Sequence, residues 1–292
     1  MNNQKRRFGD RRDGYRVRNQ DVMHIIMPFM MPKRTDNEAV INETIDITNI
    51  NSYLSEKNSG VEFKYTFFHV ICAAIAKTIY MRPKMNRFYA GGKLYDRNRI
   101  SFSFVVKKQF QDSSEEALAI ISVDEKDGTS PLEQIHSKVE KIVTTVRKEN
   151  KTDGTTDIMN SLNKLPTFIF KIVMKLLNML NYFGIYPKAL EAEDPYFSTV
   201  FISNLGSIKM RANYHHLANW GTNSIFVIVG EKKPTPFFNA DGSFAVRETL
   251  DLGITIDERI ADGLYFAKSI KILKKLLENP ELLEKPIDSE ID

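Results

Sequence analysis

Thr255-Ile256-Asp257-Glu258-Arg259-Ile260-Ala261-Asp262-Gly263 is the stretch on which the reading of this chain turns. Upstream, Leu250, Leu252, Ile254 and Ile256 alternate with Asp251, Gly253, Thr255 and Asp257, the period of a strand with one buried face. Downstream, Leu264, Ala267, Ile270, Leu273 and Leu277 recur at helical intervals. The quoted residues therefore lie where a strand leaves its sheet and a helix begins, a junction at which side chains project into a cleft. Glu258 occupies the turn itself.

Working outward, Asp241-Gly242 marks a hairpin between strands expected at 224–230 and 248–256. Another strand is expected at 198–203, where the chain reads Val200-Phe201-Ile202-Ser203-Asn204-Leu205-Gly206-Ser207. Residues 66–80 predict a helix that stops before Arg82-Pro83, and 88–94 and 100–106 predict strands, the first interrupted by a Gly91-Gly92 turn. In the second, Ile100, Phe102, Phe104 and Val106 share one face, with Ser101 and Ser103 on the other. Ser130-Pro131 with Glu133 opens a capped helix over 130–149. No repeat of fixed period is visible. The class is α/β in the mixed, α+β sense, with a largely hairpin-linked sheet that differs from regular βαβ alternation.

The chain has 292 residues, 42% of them hydrophobic, enough for a large core. Lys plus Arg is 41 against 37 for Asp plus Glu, so a net charge of +4 gives no general reason to expect nucleic acid as a partner. The basic charge gathers at 1–20, with Lys5, Arg6, Arg7, Arg11, Arg12, Arg16 and Arg18 against Asp10 and Asp13, which reads as a solvated arm open to polyanions or a neighbouring subunit. The single cysteine, Cys72, excludes an intrachain disulfide and lies in an apolar run as a structural thiol. The N-terminus lacks the apolar stretch of a signal peptide, so a cytoplasmic location is expected. Leu165 to Tyr186 is the longest hydrophobic segment, but Lys171 and Lys175 interrupt it. Its spacing predicts an amphipathic helix, ended by Gly184 and Pro187, that packs on its own core or on a partner subunit, with contact to a membrane surface as the rarer use.

The 255–263 stretch resembles the His-Arg-x-x-Asp-Gly signature of chloramphenicol acetyltransferase and of the acyltransferase core of 2-oxo acid dehydrogenase complexes, with Glu258 in the histidine's place and Arg259, Asp262 and Gly263 matching. Val200 to Ser207 resembles the family's Ile-Ser-Asn-Leu-Gly segment, Ile225 to Pro234 its strand before the hairpin, and Pro83 to Gly91 the link from its early helix to its central strands. These matches run in the family's order from about Asp21 to Leu283, giving a basic arm at 1–20, an acyltransferase-like domain at 21–285 and a tail at 286–292.

The resemblance implies a chloramphenicol acetyltransferase-like mixed-sheet sandwich with helices, assembled as a homotrimer with its active site between subunits. It implies coenzyme A or acyl-coenzyme A as co-substrate, a small-molecule hydroxyl, thiol or amine acceptor and no metal. By match, Ser203 hydrogen-bonds the oxyanion, Glu258 stands as base or acceptor-orienting residue, and Asp262, through an ion pair, Arg259, Gly263 and Asn204 support the turn. A glutamate with an ordinary pKa of about 4.3, against about 6.5 for histidine, is the weaker base. His215 and His216, about a dozen residues after Ser203, are alternative bases. With no lipoyl or subunit-binding segment ahead of the core, a stand-alone enzyme is expected, and a non-catalytic trimeric scaffold or an unusual dihydrolipoamide acyltransferase core are the alternatives.

Overall fold

The computed structural model describes residues 5–107, 116–148 and 165–291. In chain order the elements are β1 (Gly14–Arg16), α1 (Val22–Met30), β2 (Glu38–Asp46), α2 (Thr48–Lys57), α3 (Phe67–Met81), β3 (Arg87–Ala90), β4 (Lys93–Arg97), β5 (Ile100–Lys107) and β6 (Glu116–Val123). They continue with α4 (Pro131–Lys148), α5 (Thr167–Tyr182), α6 (Lys188–Glu193), β7 (Val200–Asn204), β8 (Ile225–Phe238), β9 (Phe244–Asp257) and α7 (Gly263–Glu278).

Six strands form one sheet in the order β2-β9-β8-β7-β5-β6. The pairs β5–β7 and β7–β8 are parallel and the others antiparallel, so the sheet is mixed and less purely hairpin-linked than its turns imply. Period-two alternation assigns one face to the main core: Phe102, Ile202, Val227 and Ile254 pack there with α3, α4 and α7. The opposite face carries Phe201, Ser203, Phe226 and Ile228 and is covered by the long connection from β7 to β8, while Ser101 and Ser103 are buried against Pro195, Ser198 and Thr199 ahead of β7. That connection runs close against the strands. A Cβ on Gly253 would stand 2.3 Å from the carbonyl oxygen of Asn213, and one on Gly230 2.5 Å from the Ala212 nitrogen.

A second, three-stranded sheet, β1-β4-β3, packs beside the first. Its presence corrects the reading of 1–20 as a solvated arm. Arg11 and Asp13 are buried and paired at 2.9 Å, Arg11 also donates to the backbone and side-chain oxygens of Asn181 at the end of α5, and Arg12 pairs with Glu191. Guanidinium donors here satisfy carbonyls at the end of a helix, a local use of charge that composition does not reveal. The tail is also docked: Ile287 is buried, Ile291 packs on the core, and Lys77, fully buried in α3, donates to Leu282 O, Pro286 O and Ser289 Oγ.

Two helices depart from expectation. No helix among the described residues is long and apolar enough to cross a membrane. Yet α5 does not pack its stripe on its own core: Phe168, Ile172, Leu176 and Met179 are exposed and only Asn181 is buried. In α7 the buried face is Phe266, Ile270, Leu273, Leu276 and Leu277, while Leu264 is 67% exposed and Ala267 is exposed.

At the N-terminus of α3, His69 accepts a hydrogen bond from the Thr66 amide through Nδ1 and is enclosed by Phe63, Tyr65, Phe68 and His136. Its Nε2 has no partner among the described residues. Burial, with the neighbouring His136 second, pushes its pKa down to about 3. An unfolded chain takes up this proton near pH 6.5 and the folded one does not, so stability present above that pH is lost as pH falls toward 3, at a slope approaching about 1.4 kcal/mol per pH unit. Urea unfolding at pH 7 and 5 measures it. His69→Gln, which keeps the acceptor, should flatten the slope. Gly253→Ala, which drives a methyl group onto the Asn213 carbonyl, should cost about 1–3 kcal/mol in the same titration at pH 7.

Candidate active site

Asp257 ends β9 with its carboxylate wholly buried. Its Oδ1 accepts from Arg259 Nε at 2.8 Å, its Oδ2 from Arg259 Nη2 at 2.7 Å, and Arg34 Nε lies 3.5 Å from Oδ2. Planar guanidinium against carboxylate gives the bidentate geometry that lets both ions leave water. Arg259 also donates to Pro32 O and lies over the Tyr89 ring, 4.7 Å from its centroid. Arg34 reaches Trp220 O, Gly221 O and Tyr89 O, tying the segment after α1 to the β7–β8 connection and to β3. Burial pushes Arg34 down to about 10, with Asp257 opposing the shift, so it keeps its charge at neutral pH.

This ion pair fixes the turn that follows. Glu258 opens a single turn of 3-10 helix, Glu258–Ile260, and its amide donates to Asn37 O at 2.8 Å. The Glu258 side chain is half-buried and makes no hydrogen bond or ion pair among the described residues. Arg259 points away from it, consumed by Asp257, so the sequence neighbour that could have neutralised Glu258 does not do so. Asp262 is exposed and caps α7, accepting from Tyr265 N at 2.8 Å. The hydrogen bond from that amide, followed by lesser influences including the charge of Lys84, holds its carboxyl below the usual range. The turn's ion pair thus belongs to Asp257 and not, as expected from the signature, to Asp262. Sequence reasoning passed over Asp257, Arg34 and Tyr89; only the strict alternation through Asp257 hinted that this carboxylate faces inward.

Gly263 begins α7, and a Cβ there would meet nothing within 4 Å. Ser203 lies on β7 in register with Ile228 of β8, which pairs with Gly253 of β9. Its hydroxyl makes no hydrogen bond among the described residues. Asn204 is exposed, and its carbonyl accepts from Ser207 Oγ at 2.8 Å.

Within one chain Ser203 and Glu258 are not brought together. Ser203 is level with Gly253, two strands away, and Glu258 lies five residues further along β9 and its turn, about 17 Å at strand rise. His215 lies on the serine's side of the sheet: its ring stacks on Phe226 at 4.2 Å, Phe226 stacks on Phe201 at 5.0 Å, and Ser203 is two residues beyond. His215 Nδ1 is 2.9 Å from His216 O, and both imidazoles are exposed. Asp257→Asn, which leaves two buried guanidinium groups without a counter-charge, should cost about 3–5 kcal/mol by urea unfolding. Glu258→Gln, with no partner to lose, should stay within about 0.5 kcal/mol of the parent.

A family model for the catalytic domain of 2-oxoacid dehydrogenase acyltransferases matches residues 187–284. The chain is 24% identical over 246 residues to the lipoamide acyltransferase component of the branched-chain alpha-keto acid dehydrogenase complex of Bacillus subtilis, a match covering 80% of this chain and 45% of that protein. It spans less than half the length of the curated relatives it matches. A probable dihydrolipoamide acetyltransferase from Listeria monocytogenes superposes with a TM-score of 0.58 at 17% identity, covering 94% of this chain and 97% of that one. Chloramphenicol acetyltransferase does so with a TM-score of 0.50 at 11% identity, covering 89% and 96%. The chain therefore has the chloramphenicol acetyltransferase-like fold, and the part of it that carries both Ser203 and the Glu258 turn matches the catalytic domain of the 2-oxoacid dehydrogenase acyltransferases.

Proposed function

We propose that this protein transfers an acyl group from acyl-coenzyme A to a small hydroxyl, thiol or amine acceptor, and does so as a homotrimer in which each site is shared between two copies. The observation that carries this reading is the separation of Ser203 and Glu258 in one copy, both with side chains free of hydrogen-bonding partners among the described residues. A second copy can set one copy's serine against another's turn. The exposed stripe of α5 and the open space at Gly263 are consistent with surfaces that a neighbouring copy covers.

In this reading the Ser203 hydroxyl donates to the oxygen of the tetrahedral intermediate, where negative charge develops. Glu258 takes the proton from the acceptor as it attacks the thioester carbon, and the thiolate of coenzyme A leaves with a proton. Because Arg259 is paired with Asp257, it leaves the Glu258 side chain free to face an acceptor. Arg34, Asp257 and Arg259 keep the turn in place. His215, on the serine's side of the sheet, is the second candidate for the base.

The comparisons fit equally well a related second reading, a dihydrolipoamide acyltransferase core whose acceptor would be a dihydrolipoyl thiol. Particle size separates the two, since sedimentation at the mass of a trimer fits the first and a much larger cage fits the second.

Titration calorimetry with coenzyme A and acetyl-coenzyme A tests the shared premise. Binding near micromolar, about 8 kcal/mol, is expected. Once an acceptor is found, Ser203→Ala should lower turnover by about a hundredfold and Glu258→Gln by a hundredfold or more, with His215→Gln nearly neutral. No binding by a folded trimer, or a large loss only in His215→Gln, would overturn the assignment.

A further inference from the structure

Away from Ser203 and His215, the end of the sheet where β5 begins and β6 stops carries a cleft of about 860 Å³ between the end of α3, the three-stranded sheet and the turn after β6. Its size is that of a small-molecule site. Its walls are unevenly charged. Arg87 and Asp96 neutralise each other at 2.7 Å, while Asp124, which accepts from the Lys126 amide at 2.9 Å, and Glu125 still count as two negative charges. Against these two stand Lys84, Arg99, Lys126 and Arg97, a surplus of two positive charges.

Lys84 and Lys126 have no carboxylate within ion-pair distance among the described residues, although the Lys84 ammonium lies 5.1 Å from the Tyr265 ring centroid and its charge reaches Asp262, and Arg99 is 3.7 Å from Glu191, too far for a strong bond. These three cations come from three separate stretches of chain and converge on one concavity. Isolated surface lysines point into water singly, whereas convergent ones raise the local concentration of an anion. Arg97, beneath the same cleft, adds a buried positive charge: its Nη atoms donate to Phe197 O and to Thr222, and its Nε has no partner among the described residues. Burial pushes Arg97 down to about 9, so it keeps its charge at neutral pH and attracts an anion above it. Tyr15 and Tyr80 add phenol rings to the walls.

We propose that this cleft binds a phosphomonoester carrying a planar ring. A phosphomonoester brings a charge of about −1.5 to −2 and three acceptor oxygens, matched to two ammonium groups and a guanidinium. The tyrosine rings offer faces to the ring it carries. A carboxylate would leave more of the positive charge uncompensated, and the cleft is too small for a nucleic-acid duplex. The site borders the 255–263 turn, because the Lys84 amide donates to the Tyr265 hydroxyl at 3.1 Å, and the Tyr265 amide donates to Asp262. It stands whether or not the chain transfers acyl groups.

Titration calorimetry of the full chain with phenyl phosphate, in the absence of any coenzyme A, tests it, with inorganic phosphate and phenol as separate probes. Phenyl phosphate should bind saturably with Kd on the order of 100 µM, inorganic phosphate more weakly and phenol not at all. Lys84→Glu with Lys126→Glu should weaken binding about tenfold or more, and Lys141→Glu, the charge change of either single substitution placed on an exposed lysine of α4, should leave it unchanged. Lys126 is exposed on a turn, so Lys126→Glu alone keeps the fold, verified by circular dichroism, and should weaken binding severalfold. No saturable binding to the folded protein, or equal losses in Lys126→Glu and Lys141→Glu, would overturn the proposal.

Discussion

The Asp257 carboxylate, held in the interior by two guanidinium groups, organises this molecule around its candidate site. A buried anion is tolerated only with good partners, and each partner here reaches in a different direction. Arg259 joins the end of β9 to the segment after α1, and Arg34 joins that segment to β3 and to the connection that covers the serine's face of the sheet. Four stretches distant in sequence are thus held to one charge. The geometry at Glu258 is a consequence of that arrangement, not of the glutamate itself.

Most of the fold was legible because period-two and period-3.6 patterns are strong where one face is buried. The strand through Leu250 and Ile256, the helix after Pro131 and the hairpin at Asp241-Gly242 all appear where their patterns place them. Failures have a common cause. The basic residues at 11–18 look solvated when counted, yet Arg11 is buried because its donors meet the Asn181 oxygens on α5, a partner far along the chain. For α5 the apolar pattern left two destinations, its own core or a partner subunit, and the exposed stripe excludes the first: periodicity reports which side of a helix is apolar and says nothing of which molecule covers it.

Resemblance singles out Ser203 and the 255–263 turn; both lie at strand ends, and the Ser203 hydroxyl and Glu258 carboxylate make no hydrogen bond among the described residues. Roles within the turn were read less well, since the signature offers Asp262 as the ion-pair partner whereas the structure uses that residue to cap α7 and gives the ion pair to Asp257. Asp257 and Asp262 stand five positions apart, and only Asp257 lies on the strand, so the strand's alternation marks it as the inward-facing carboxylate where the signature does not. The separation of Ser203 from Glu258 follows from strand order, which no local pattern encodes.

Lys77 has a bearing on the tail that follows α7. Its ammonium lies among apolar side chains of α3 and is tolerated because the last segment offers two carbonyls and a hydroxyl. Proteolytic clipping of that segment would therefore do more than expose Ile287. It would also open the Lys77 ammonium, whose partners all lie in that segment, to water, so the terminal residues act as a cover that keeps solvent from this end of α3.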